Sequence, residues 1–101
     1  MFNMFYSPGV NRLGIKIEDL DEGDGVRITN VEEKSNAEKS GLNKDDIITE
    51  IEGEIIKNVN DARINFRSLK EKTNYTIKVR RNGAETSIVV KMPKKKNSAN
   101  L

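Results

Sequence analysis

Apolar residues recur at alternate positions over Leu13–Ile17, most of Val26–Val31, Tyr75–Val79 and Ile88–Met92. A period of two places one apolar face on extended backbone, so each stretch predicts a strand. Asp46–Ile51 reads as a further strand, and Gly53 marks a turn into a short Ile55-Ile56 segment. Asn82-Gly83 joins the last two alternating runs, and both residues tolerate the positive φ of a tight hairpin turn. Two helices break the strand pattern. Ser35 and Glu38 have capping-box spacing before Gly41, which accepts left-handed geometry at a helix end while Leu42 folds back. Asn58 is placed to cap a longer helix from Val59 to about Leu69, with Asp61 in its electropositive first turn. Val59, Ala62, Phe66 and Leu69 form one stripe along it. Ile64 lies off that stripe. Either the helix is buried against two parts of the core, or one face forms a groove wall.

Between the first two strands, Glu18–Gly25 is rich in acids and glycines and reads as a solvated loop. An EF-hand needs acids at positions 1, 3 and 5, glycine at 6 and glutamate at 12. Counting from Asp19 puts Gly23 at 5, Asp24 at 6 and Asn30 at 12, so the calcium pattern fails. Phe2, Phe5 and Tyr6 supply three of the five aromatics and precede Ser7-Pro8-Gly9, which reads as a turn separating an N-terminal arm, residues 1–11, from the domain. The arm is either a frayed segment or one that packs on the domain or a partner.

At 101 residues, with 35% hydrophobic and 34% charged residues, the chain has material for one modest core, residues 12–93. Few aromatics mean that the core is built from Ile, Val and Leu. No apolar run approaches the ~20 residues of a membrane span, and no secretory leader is visible in the opening residues. The net charge of +2 comes mainly from Lys91, Lys94, Lys95 and Lys96, so nucleic-acid binding is not implied. The segment 94–101 reads as a polar, disordered tail. With no cysteine and no histidine, thiolate chemistry, disulfides, a Ser-His-Asp triad and the common zinc sites are excluded within the chain. A serine–lysine nucleophile at Ser40 or Ser68 lacks any glycine-flanked nucleophile turn. No catalytic residue, metal or cofactor is expected.

The order of glycine-marked strand, strand, short helix, strand, longer helix and hairpin resembles a PDZ domain. Arg12-Leu13-Gly14-Ile15 looks like the family's Gly-Leu-Gly-Phe carboxylate-binding loop. Ser35–Leu42 followed by Asp46-Ile47-Ile48 is similar to its Gly-Leu and Gly-Asp-Ile-Ile signature, and Ile51-Glu52-Gly53 to its Ile-Asn-Gly turn. Arg12 and Asp45 stand where the family has glycine. Two strands after the long helix and none before the loop resemble the circularly permuted PDZ domains of Do-like (HtrA-type) serine proteases and related bacterial envelope proteases.

The resemblance implies an α+β fold, a partly open antiparallel β-barrel or sandwich of five to six strands capped by two helices. It implies a module that binds peptide C-termini with a hydrophobic last residue by strand addition. Arg12, Leu13, Gly14 and Ile15 would hold the terminal carboxylate, and Ile17, Ala62, Phe66 and Leu69 would line the groove. With Ala62 at the first helix position in place of a histidine, a hydrophobic third-last ligand residue is expected; a register shift of one residue would put Asp61 or Arg63 there instead. The tail residues Ala99-Asn100-Leu101 fit the same description and are a candidate ligand for a neighbouring copy. A regulatory or substrate-recognition role in a periplasmic or envelope protein follows from the resemblance. The alternative is an assembly module whose groove is closed by the aromatic arm.

Overall fold

The computed structural model describes residues 13–69 and 72–92. The N-terminal arm, Arg12 and the tail with Ala99-Asn100-Leu101 lie outside the described residues. The alternating segments become six strands: β1 (Ile15–Asp19), β2 (Val26–Val31), β3 (Ile47–Ile51), β4 (Glu54–Ile55), β5 (Asn74–Arg81) and β6 (Ala84–Lys91). Helix α1 (Asn36–Ser40) lies between β2 and β3, and α2 (Val59–Ser68) between β4 and β5. All pairings are antiparallel, in the order β1-β2-β3-β5-β6 with β4 paired to β3. The fold is thus α+β, an open antiparallel sheet of six strands with two helices. Among the described residues, β1 pairs only with β2 and is an edge strand.

The inward residues of the strands make the core. Val26, Ile28, Ile48, Ile51, Ile77, Val79 and Val90 have no accessible surface, and Leu42, Ile56 and Ala62 join them. Such side chains each contribute about 1.5–3 kcal/mol by leaving water. Asn82-Gly83 makes the expected two-residue hairpin, at φ +53° and +82°. Both predicted helix caps form. The Ser35 hydroxyl accepts from the Glu38 N–H, and Gly41 closes α1 in left-handed geometry. The Asn58 side chain accepts from the Asp61 N–H, while the Asp61 carboxylate accepts from the Lys57 N–H.

Two acidic stretches behave differently from their expected places. Glu18 and Asp19, expected in the loop, extend β1 instead, paired with Arg27 and Val26 of β2. Asp46, expected as the first residue of a strand, stands just before β3 and is 2% exposed. Its carboxylate takes a bidentate pair of bonds from the Arg81 guanidinium, at 2.8 and 2.7 Å, and one from the Asn43 N–H at 2.9 Å. Arg81 also donates to the Gly41 carbonyl at 2.8 Å, so this cluster ties the end of α1 to the last hairpin. Bonding to Asp46 raises the Arg81 pKa. Asp45, where the resembled family has glycine, sits at φ +76°.

The β1–β2 register carries a bulge: Lys16 faces Asn30 while Ile17 faces Ile28, leaving Thr29 as the extra residue.

Candidate functional site

Alternation along β1 gives its two faces different characters. Ile15 and Ile17 are half-buried, whereas Lys16, Glu18 and Asp19 are exposed. The half-buried apolar side chains packed on the core are Ile15, Ile17, Val31, Val59, Phe66 and Leu69. They come from β1, the end of β2 and α2 with its C-cap Leu69, whereas the most exposed large apolar side chains, Ile55, Ile64 and Val89, lie outside this set.

The loop leading into β1 is pinned through its carbonyl groups. The Leu13 carbonyl accepts from the Ala37 N–H at the start of α1, and the Gly14 carbonyl accepts from the Glu32 N–H, both at 2.9 Å. The N–H groups of Leu13 and Gly14 donate to no described residue. Gly14 adopts φ +90°, and a Cβ placed there would lie 2.3 Å from Ser35 Cβ. Glycine is therefore demanded twice, by the left-handed backbone and by the approach of the α1 cap. What results is a loop whose acceptors are used and whose donors bond to no described residue, an arrangement suited to an anion.

At the far end, the Asp19 carboxylate accepts from the Val59 N–H at 2.7 Å. This bond joins the last residue of β1 to the first turn of α2. It adds a second acid to the helix N-terminus, where the backbone dipoles favour negative charge. No local pattern announces it, because the partners are 40 residues apart and Asp19 reads equally well as a loop acid.

The helix register corrects one expected site residue. Ala62 has no accessible surface, so it is a core residue and offers nothing to a ligand. Val59, one turn earlier, is half-buried at the margin, and so is Phe66 seven residues on, its ring 6.3 Å from that of Tyr75. Leu69 is half-buried as well, and Leu13, at 4% exposure, belongs to the core beneath them. A seven-residue spacing fits Ala62 with Leu69 and Val59 with Phe66 equally well. Burial alone distinguishes the two pairs.

The charges near this margin divide unevenly. Glu18 pairs with Arg27 across β1–β2, raising the Arg27 pKa, Asp19 caps α2, and Asp61 accepts from Lys57. Lys16, Arg63 and Arg67 are exposed and make no ion pair with any described residue. The two serines weighed as nucleophiles are both engaged. Ser40 Oγ accepts from the Lys91 N–H, and Ser68 Oγ donates to the Asn65 carbonyl. Among the described residues no group of acids could hold a metal ion, and no helix is long and apolar enough to cross a membrane.

Comparison with known proteins agrees with this architecture. The chain is 35% identical over 69 residues to a "Serine protease HtrA-like" protein of Staphylococcus epidermidis, a match covering 67% of this chain and 12% of that protein. Among solved structures, the HtrA-type protease AlgW with a decapeptide superposes with a TM-score of 0.71 at 18% identity, over 85% of this chain and 30% of that one. The HtrA3 PDZ domain bound to the phage-derived ligand FGRWV gives 0.67 at 17% identity, covering 78% of this chain and 81% of that domain. The PDZ domain of EpsC from Vibrio cholerae gives 0.64 at 20% identity, over 83% of each chain. This chain thus spans a small part of the full proteases it matches, and none of its matched length is a catalytic domain. The PDZ domain family profile covers residues 11–92, and the chain belongs to that family.

Proposed function

We propose that this chain captures the free C-terminal end of an extended peptide, which adds to the β1 edge as a further antiparallel strand. The observation that carries this reading is the polarity of the loop before β1, with carbonyls bonded inside the fold and the Leu13 and Gly14 N–H groups donating to no described residue. The terminal carboxylate would take bonds from these groups and from the Ile15 amide, with Arg12 as a charged helper. Charge-assisted bonds of this kind contribute roughly 1.5–3 kcal/mol each. The ligand's last side chain would enter the apolar margin of Ile15, Ile17, Phe66 and Leu69, over Leu13. The third-last side chain meets Val59 rather than Ala62. Valine offers no hydrogen-bond donor, so a hydrophobic third-last residue is favoured over Ser or Thr.

The HtrA3 domain bound to FGRWV and AlgW with a decapeptide are relatives whose peptides support this reading by analogy. By the same likeness, the chain serves as a regulatory or substrate-recognition module of a protease at the cell envelope.

Backbone amide NMR tests the proposal. Titration with a peptide ending in valine should shift Gly14, Ile15 and Ile17 and the α2 amides. Amidating the peptide's terminus should weaken binding at least about tenfold, the equivalent of one charge-assisted bond. Perturbations confined to the β6 edge, or indifference to amidation, would overturn it.

A further inference from the structure

Strand geometry fixes which ligand side chains meet which charges. A peptide antiparallel to β1, with its carboxylate at Gly14, sets its last residue beside Ile15, its second-last beside Lys16 and its third-last beside Ile17. Ile15 and Ile17 face the core side, and Lys16 faces away from it. Alternation then sends the ligand's last and third-last side chains toward α2 and its second-last side chain to the outer face. Directly opposed side chains on that face stand within about 5.5 Å of each other at Cβ, close enough for opposite charges to attract.

The charge on that face is unbalanced. Lys16 stands across from uncharged Asn30 on β2 and makes no ion pair with any described residue. Glu32, two residues past Asn30 and therefore diagonal to Lys16, forms no ion pair with it. Glu18, next along the outer face of β1, is already bound to Arg27. On the helix side, Asp19 is held by the Val59 N–H, while Arg63, one turn beyond Val59, is exposed and unpaired. Glu18 and Asp19 are thus occupied within the fold, whereas Lys16 and Arg63 make no ion pair with any described residue.

We propose that the edge selects an acidic residue at the second-last position of its peptide, and that Lys16 is the specificity-determining residue. The inference rests on the strand-addition reading above and names the chemistry of its ligand. The ligand class is a C-terminus of the form acidic residue followed by a hydrophobic one.

The test uses short, otherwise uncharged peptides ending in Xaa-Val, with Xaa as Glu, Gln or Lys, measured by calorimetry against the whole chain. At low ionic strength the Glu peptide should bind about threefold tighter than Gln and about tenfold tighter than Lys. At about 0.5 M salt the ratios should shrink toward unity, because rim charges are screened over less than ~5 Å. Lys16→Glu should invert the order. Lys16→Gln should level it. This variant adds no charge beside Glu18, so it keeps the test decisive if Lys16→Glu disturbs folding. Equal affinity for the three peptides, or an order unaffected by either substitution, would overturn the inference and leave strand addition standing. Failure of all three to bind would overturn strand addition, and the inference with it.

Discussion

The Asp46 cluster and the Leu13–Gly14 loop are both built from buried or partly buried polar groups, and they treat those groups in opposite ways. At Asp46 the carboxylate, the Arg81 guanidinium, the Asn43 amide and the Gly41 carbonyl satisfy one another. At Leu13–Gly14 only the carbonyl half of the backbone is bonded within the described fold. Leaving buried polar groups without partners costs about 1–3 kcal/mol each. The first region therefore holds tertiary structure together, whereas in the second the Leu13 and Gly14 N–H groups bond to no described residue and, on the proposed reading, are kept for a ligand's carboxylate. On that reading, stability and recognition rest on different polar groups, and substitutions should separate them.

The largest effect is expected at Gly14, where the two roles meet. Gly14→Ala forces a Cβ against Ser35 and an unfavourable φ, costing roughly 4 kcal/mol in urea denaturation. Peptide binding should be lost even under conditions where the protein stays folded. Asp46→Ala should cost about 3 kcal/mol by stranding Arg81, while peptide affinity of the folded fraction is retained. Loss of affinity at that position would blur the distinction between the two regions. Asp19→Ala removes the acid that caps α2 and should lower stability by about 1 kcal/mol. If that bond sets the spacing of helix and edge strand, affinity measured by titration should also fall, about threefold.

The smallest effect is electrostatic. Bonds from Lys72 and from the Thr76 N–H hold the Glu52 carboxyl below its usual pKa. Its stabilisation is present above the ordinary carboxylate range and is lost as pH falls through the lower folded value. Glu52→Gln should therefore be slightly less stable than the parent at neutral pH and equal to it in strong acid. Both side chains meet solvent, so the difference is small and fades with salt. Thermal melts across the acid range would show it.

What could be read from the chain was local. Ser35, Asn58 and Asn82-Gly83 announce their structures because a cap or tight turn is settled within three or four residues. The β1 edge and its glycine were legible through alternation and the order of motifs. Asp19 and Asp46 were not, since each acts on a group 35 or more residues away, at Val59 and Arg81 respectively. Glu18 and Asp19 looked like loop residues because acids rarely favour strands, yet pairing with β2 overrides that weak preference. The stripe along α2 identified the buried side of the helix. It did not distinguish Ala62, at the stripe's centre, from Val59 at its margin, because a helical period fixes a direction and not the depth of what lies there.

The extra residue at Thr29 has a consequence for how this molecule behaves in a crowd. A two-against-one mismatch coils the short outer ribbon more strongly than a regular pair would. An incoming chain can follow it for only a few residues before the curvature carries them apart. On the proposed reading that length suffices for a terminus, and it is too short to template an unending stack of sheets, so the kink also guards against fibre growth.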